Sequence, residues 1–208
     1  MMNDQTFTPD VSLDFSIRKL FAVPLKGFFW FCCLLWTGLT ANAQKDRPVK
    51  PDLPLNDENE QVYYMEVVPM DGVEKLELYR RSQQWMKSYF KNPAGFLESS
   101  DSVSGLLTMK PQFPVYRILK NGVKAQAAII RYTLVLGFKD GKYRYEIKDV
   151  NLKAASYEPI EKLFNENDPN IADNYNTLQE ADKNFRELIN NLKESMKEPS
   201  VKVKKDEW

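Results

Sequence analysis

Apolar and polar residues alternate most regularly in two segments of the chain, residues 131–138 and 142–150. This period of two is typical of β-strands with one buried face, and the intervening Asp140-Gly141 is a strong signal for a two-residue type I′ turn. The pattern therefore predicts a β-hairpin with a defined register. Three apolar pairs would face each other on one side: Phe138 and Tyr143, Leu136 and Tyr145, Leu134 and Ile147. The other side would carry Arg144, Glu146 and Lys148, with Thr133 and Val135.

A period of 3.6 residues predicts two long helices. They span about residues 74–90 and 175–196, and each has an apolar stripe on one face and charged residues mostly on the other. Asp71 and Glu74 are spaced as in a capping box, which predicts that Asp71 caps the first helix. A third, short helix is expected over about residues 159–164.

Other segments predict further strands. Residues 61–68 are rich in Tyr and Val, and residues 96–117 indicate two extended segments separated near Gly105. The prolines in the stretch 111–114 suit an edge strand or a bulge, because proline cannot donate a backbone hydrogen bond. Asn121-Gly122 predicts a second hairpin turn.

The elements follow the order strand, helix, consecutive antiparallel strands and then helices. This order predicts an α+β domain, with a sheet of about five strands and helices packed on one face. One domain over residues 61–198 accounts for these elements. The preceding residues 44–60 are proline-rich and charged, which predicts a flexible linker, and residues 199–208 are expected to form a disordered tail.

Residues 1–43 are predicted to be a secretory signal peptide. Basic residues precede a short apolar run at 27–39, and Ala41-Asn42-Ala43 follows it. This arrangement indicates cleavage between Ala43 and Gln44. The apolar run is shorter than the roughly 20 residues of a membrane helix, so no stable membrane span is expected after cleavage. The protein would then be exported, to the periplasm, the outer-membrane surface or the extracellular space.

The composition argues against several kinds of chemistry. The chain has 208 residues and no His, and its two Cys residues, Cys32 and Cys33, lie in the segment expected to be removed. The remaining chain would have no imidazole base, no thiol nucleophile and no Cys or His metal ligand. The 29 basic and 29 acidic residues cancel, so no net charge attracts nucleic acid. We therefore predict no catalytic residue, no cofactor, no metal site and no nucleic-acid partner.

Several stretches of the chain together resemble one family of domains. They are MEVV (Met65–Val68), ELY (Glu77–Tyr79) with Trp85, SVSGL (Ser102–Leu106), YTL (Tyr132–Leu134) and KDGKYRYE (Lys139–Glu146). This set resembles the domain of unknown function with a TBP-like fold that is found in exported Bacteroidetes proteins. The resemblance covers about residues 62–151 and implies a curved antiparallel sheet with helices on one side. It implies no activity and supplies no catalytic residue, and the chain departs from the family pattern at residues 111–114.

The polar side of the predicted sheet supplies a candidate interaction surface. It comprises Arg131, Lys142, Arg144, Lys148, Tyr63 and Tyr64. Alternation along a strand should direct one of the two neighbouring tyrosines outward and the other inward. The competing interpretation of the basic residues is a solvated sheet face whose charges prevent aggregation.

Three functions remain open on this evidence. The sequence favours a non-catalytic binding or interaction module of the cell envelope, with an envelope protein, peptide or glycan as the unidentified partner. The first alternative is a carboxylate-dependent hydrolase acting on envelope glycans, although no two acidic residues are predicted to be buried side by side. The second is a structural or assembly role through an exposed sheet edge.

Overall fold

The computed structural model describes residues 48–119, 121–153 and 156–201. The predicted signal peptide and its cleavage site between Ala43 and Gln44 lie outside these ranges, as do residues 202–208 of the predicted tail. Within the described ranges, no helix combines the length and the apolar character that crossing a membrane would require.

The described residues form one antiparallel sheet and two α-helices. The strands are β1 (Tyr64–Pro69), β2 (Leu97–Asp101), β3 (Leu106–Met109), β4 (Gln112–Ile118), β5 (Lys124–Lys139), β6 (Lys142–Lys153) and β7 (Tyr157–Pro159). The α-helices are α1 (Lys75–Tyr89) and α2 (Ile171–Lys197), and short 3-10 helices span Pro93–Gly95 and Ile160–Phe164. The predicted α+β class and the order of the elements are confirmed, with seven strands instead of about five.

The long strands β5 and β6 organise the sheet. The strand order is β1-β6-β5-β3-β2, and each long strand also pairs with a second short strand further along its outer side, β4 on β5 and β7 on β6. Strand β4 continues through Pro114 and pairs with β5 alone among the described strands, which confirms the predicted edge position.

The central hairpin has the predicted register but a different turn. Phe138 pairs with Tyr143, and the next two apolar pairs follow as predicted. A type I′ turn requires a positive φ at both central residues, whereas Gly141 has a φ of 74° and Asp140 does not have a positive φ. The Asp140 side chain makes a distant contact, in which its Oδ1 accepts a hydrogen bond of 2.7 Å from the backbone N–H of Lys75. Asp140 therefore caps α1, and the predicted capping role of Asp71 is wrong.

A bulge interrupts the hairpin away from its turn. Thr133 pairs with Lys148 and Arg131 with Asn151, so β6 contains one more residue than β5 between these pairs. Asp149 lies in the bulge with a φ of 51°, in the left-handed region. The extra residue brings Val150 into the core, where it is buried.

Both α-helices pack on the same face of the sheet. The Phe185 ring of α2 lies 5.0 to 5.3 Å from the rings of Tyr64, Phe113 and Tyr132, measured between centroids. Trp85 of α1 donates from its ring nitrogen to Asn191 of α2 at 2.9 Å. The opposite side of the sheet, which neither α1 nor α2 covers, is called the open face below.

Two segments outside the predicted domain pack against it. Leu53 is buried and Leu55 pairs with Val62 in an isolated bridge, so the predicted linker is in contact with the domain before residue 60. Burial of the Leu53 side chain contributes about 1.5–3 kcal/mol to this contact. After α2, the backbone N–H and the hydroxyl of Ser200 both donate to the carboxylate of Glu77 in α1. The beginning of the predicted tail is therefore bound to the helix.

Candidate functional site

Basic residues on the open face of β6 are partly neutralised by Glu146, which lies between them. Arg144 Nη2 is 2.8 Å from Glu146 Oε1, and Lys148 Nζ is 3.7 Å from Glu146 Oε2. Glu146 is only 8% exposed, although α1 and α2 pack on the other side of the sheet. Burial raises the pKa of Tyr63, and the nearby Glu146 carboxylate raises it further.

Two further residues of the predicted surface lie elsewhere. Arg131 is beyond the bulge, where its Nη1 donates to the hydroxyl of Tyr157 at 2.7 Å and its guanidinium lies 5.1 Å from the centre of that ring. Tyr64 is buried on the helix-covered face, and its hydroxyl donates to Asp182 at 2.7 Å. Burial is the main cause of the strongly raised pKa of Tyr64. Tyr64 is therefore a core residue, and its assignment to the interaction surface is wrong.

The turn end of the hairpin contains a depression of about 330 Å³ on the open face, called the turn-end depression below. Four strands and the loop before β3 contribute to its lining. The side chains and the glycine that matter most are Val67, Leu106, Gly137, Lys139, Lys142 and Arg144. Only Lys142 and Arg144 were among the residues predicted from the sequence.

Gly137 creates room for the depression because it has no side chain in the middle of a strand. It pairs with Leu106 on one side and with Arg144 on the other. A Cβ atom at this position would lie 3.6 Å from Leu106 Cδ2, an ordinary contact distance, so a larger side chain would project into the depression. An isolated glycine inside a strand often marks a close approach of a ligand or backbone. Gly137 was therefore the feature of the sequence from which this depression could have been found.

Apolar side chains remain accessible around the depression. Val67 is 49% exposed and Leu106 is 44% exposed, and Met65, two residues before Val67 on β1, is 51% exposed. Leu106 and Val67 belong to strands on opposite sides of the β5–β6 hairpin. The open face therefore presents aliphatic surface on both sides of Gly137, which singly scattered surface residues would not do.

The charges that line the depression are positive. Neither Lys139 nor Lys142 forms an ion pair with a carboxylate in the described ranges. Asp140 and Asp101 lie next to the depression, but each accepts a backbone hydrogen bond, from Lys75 and Val103 respectively. The hydrogen bonds from Ser104 and Val103 also lower the pKa of Asp101. The site can therefore provide cationic donors beside an apolar surface.

Residues 64–153 match the family model described as a domain of unknown function (DUF4468) with a TBP-like fold. This segment is similar to DUF4468 domains. It extends from β1 to the end of β6 and contains every residue named in the lining of the turn-end depression. Helix α2, which covers part of the helix-side core, lies beyond the matched segment.

Two solved structures support the fold. A TBP-like protein from Parabacteroides distasonis is similar with a TM-score of 0.57 and 17% identity, over 70% of this chain and 97% of the other. A DUF4468 family protein from Bacteroides ovatus has a TM-score of 0.57 and 10% identity, over 73% of this chain and 94% of the other. At these identities the likeness shows the fold alone. No match is found among curated proteins.

Among the described residues, every carboxyl group with a perturbed pKa has a lowered one. They are Glu66, Glu77, Asp101 and Asp168. A hydrogen bond from Lys193 is the main cause at Glu66, and a backbone hydrogen bond from Ser200 is the main cause at Glu77. A general acid in glycoside hydrolysis needs the opposite shift, a carboxyl group that stays protonated near neutral pH. The described residues also contain no cluster of three acidic side chains placed to hold a metal ion.

Proposed function

We propose that this protein is an exported, non-catalytic binding module that binds its partner through the open face of the sheet. The observation that carries the proposal is the accessible aliphatic surface of Met65, Val67 and Leu106 beside basic side chains, on the face opposite the helices. Grouped exposed apolar side chains are a feature of interaction sites, whereas singly scattered ones are ordinary on a protein surface.

Two side chains on different strands, Val67 on β1 and Leu106 on β3, supply apolar surface that a partner could bury. Val67 and Leu106 are about half exposed, so each can still bury roughly half of its side chain in a complex. Full burial of such a side chain contributes about 1.5–3 kcal/mol. A partner that covers both residues would therefore gain about 1.5–3 kcal/mol from these two side chains together.

Export is supported by the N-terminal pattern of basic residues, apolar run and Ala41-Asn42-Ala43. The test is the N-terminal sequence of the protein recovered from the envelope fraction of its own cells. A chain that begins at Gln44 supports export with cleavage. A chain in the cytoplasmic fraction that retains Met1 contradicts it.

The hydrolase alternative gains no support from the carboxyl groups, because the perturbed ones are held in the ionised form. The assembly alternative has a specific observation in its favour: β1 and β2 lie at the two ends of the strand order, so each has one side free of a partner strand within the described sheet. Self-assembly through such an edge would give a dimer or a larger species in gel filtration, whereas a monomer would favour a foreign partner.

Site-directed photo-crosslinking tests the binding surface. The photoreactive residue benzoylphenylalanine replaces Val67 on the open face in one variant and Leu76, an exposed residue of α1, in the matched control. Irradiation of intact cells should produce a discrete adduct from position 67 and none from position 76. The absence of an adduct at position 67, or the same adduct at both positions, would contradict the proposal.

A further inference from the structure

We propose that the turn-end depression binds the C-terminal carboxylate of a partner peptide whose last residue is apolar. This inference rests on the proposed function, since it names the chemical class of the ligand at the same face. Its two requirements are a cationic site for the carboxylate and an adjoining apolar surface for the side chain.

The cationic requirement is met by three groups on the hairpin. Lys139, Lys142 and Arg144 line the depression, and they come from adjacent positions around the turn. Arg144 uses Nη2 for Glu146, and a guanidinium has five N–H donors, so donors remain for a second carboxylate. Charge-assisted hydrogen bonds to a carboxylate are about twice as strong as neutral ones.

The apolar requirement is met across the strands. Leu106 and Val67 lie on opposite sides of the Gly137–Arg144 pair, since β3 is next to β5 and β1 is next to β6. An aliphatic side chain placed over Gly137 would pack against Leu106 on the adjacent strand while its carboxylate remained near the basic groups. The volume of about 330 Å³ is at the lower end of the usual range for ligand sites, which suits one or two residues of a peptide.

The rim of the depression is fixed by backbone contacts. The N–H of Phe138 donates to the carbonyl of Gly105 at 2.8 Å, which joins the loop before β3 to the end of β5. Gly105 has a φ of 72°, and a Cβ atom there would lie 2.7 Å from the Phe138 carbonyl oxygen. Only glycine fits this position without displacement, so the loop is held close to the hairpin. A site with a fixed rim loses less conformational entropy when a ligand binds.

Charge complementarity also decides against an anionic surface as partner. The depression is small and its cations are confined to one end of the hairpin, whereas Arg131 lies beyond the bulge and Lys148 is engaged with Glu146. An extended polyanion would find paired charges along most of the open face. A single carboxylate finds all of its contacts within the depression.

The test is an NMR titration of the isotopically labelled full-length protein with N-acetylglycyl-leucine, which has a free C-terminal carboxylate. The amide signals of Gly105, Leu106 and Gly137 should shift on binding. The C-terminal amide of the same dipeptide should bind at least about tenfold more weakly, because it lacks the charge-assisted hydrogen bonds. Equal affinity for the acid and the amide would overturn the proposal, and so would the absence of shifts at these residues.

Three variants locate the site. Lys142→Gln should weaken binding of the free acid about tenfold. Gly137→Val should abolish it by filling the depression, with a melting temperature close to that of the wild type. The matched control Lys153→Gln removes an exposed lysine from the far end of the same strand and should leave affinity unchanged. If Lys153→Gln weakens binding as much as Lys142→Gln, the binding reflects general positive charge and the proposal fails.

A free small acid is distinguished from a peptide by a third probe, isovalerate, which carries a carboxylate on a leucine-like side chain without a peptide bond. It should bind more weakly than N-acetylglycyl-leucine, and equal affinity would overturn the peptide assignment. Failure of the dipeptide together with a crosslink at position 67 would reject the ligand class and leave the binding module in place. Failure of both would reject both proposals.

Discussion

The cap that Asp140 provides to α1 allows a direct test of how the hairpin and the helix are coupled. Asp140→Ala removes the Oδ1 acceptor that lies 2.7 Å from the Lys75 backbone nitrogen. Loss of an N-terminal cap typically costs about 1 kcal/mol, and loss of a negative charge at a helix N-terminus costs a further ~0.5 kcal/mol. We expect the free energy of unfolding to fall by about 1.5 kcal/mol, which corresponds to a melting temperature roughly 3–6 °C lower.

The assay is equilibrium unfolding in urea, with two comparison variants. Asp140→Asn retains an oxygen acceptor without the charge and should lose about 0.5 kcal/mol. Asp71→Ala changes the residue that the local sequence pattern predicts as the cap, and it should change stability by less than about 0.5 kcal/mol. A destabilisation by Asp71→Ala that equals or exceeds that of Asp140→Ala would refute the assignment of the cap.

Three other substitutions test the packing around the helices. The buried hydroxyl of Tyr143 has no hydrogen-bond partner among the described residues, so Tyr143→Phe should raise the melting temperature by about 2–4 °C, and a decrease would contradict this reasoning. The backbone N–H of Ser200 holds the pKa of Glu77 at about 2, below its ordinary value of 4.5. A carboxyl group whose pKa is lower in the folded protein stabilises the fold at pH values above its unfolded-state pKa. This stabilisation is lost as the pH falls through the folded-state pKa. In urea unfolding, Glu77→Gln should therefore lower the free energy of unfolding by ~1 kcal/mol at pH 7, and by progressively less between pH 4.5 and 2. A difference that does not depend on pH would refute this prediction. Leu53→Ala should destabilise the domain by about 2 kcal/mol in the same assay, whereas a flexible linker would show almost no change.

Local patterns predicted the central hairpin because its register is determined within 20 residues of sequence. The alternation on either side of Asp140-Gly141 leaves one arrangement in which both apolar faces coincide, and the structure has that arrangement. The contact of Asp140 with Lys75 was not predictable in the same way, because the two residues are 65 positions apart. Asp71 has the spacing of a cap, but the acceptor at the start of α1 comes from Asp140.

The candidate site was only partly predictable for a similar reason. Lys142 and Arg144 follow from alternation on one strand, but the neighbours that turn them into a site lie on other strands. Leu106 reaches Gly137 through the pairing of β3 with β5, and no local pattern specifies that pairing. The burial of Tyr64 was not predictable for a different reason. Alternation indicates that one of two adjacent tyrosines is buried, but it does not identify which tyrosine that is.

The accessibility of the open face in living cells shows directly whether a partner covers it. In a Cys32→Ser, Cys33→Ser background, the chain has no other thiol, so a single cysteine can be placed at Val67 or, as the control, at Leu76. A membrane-impermeant maleimide should label position 67 rapidly in the purified protein and much more slowly in intact cells, while position 76 labels at the same rate in both. Equal and rapid labelling of position 67 in the purified protein and in cells would show that no partner covers the open face, and would contradict the account.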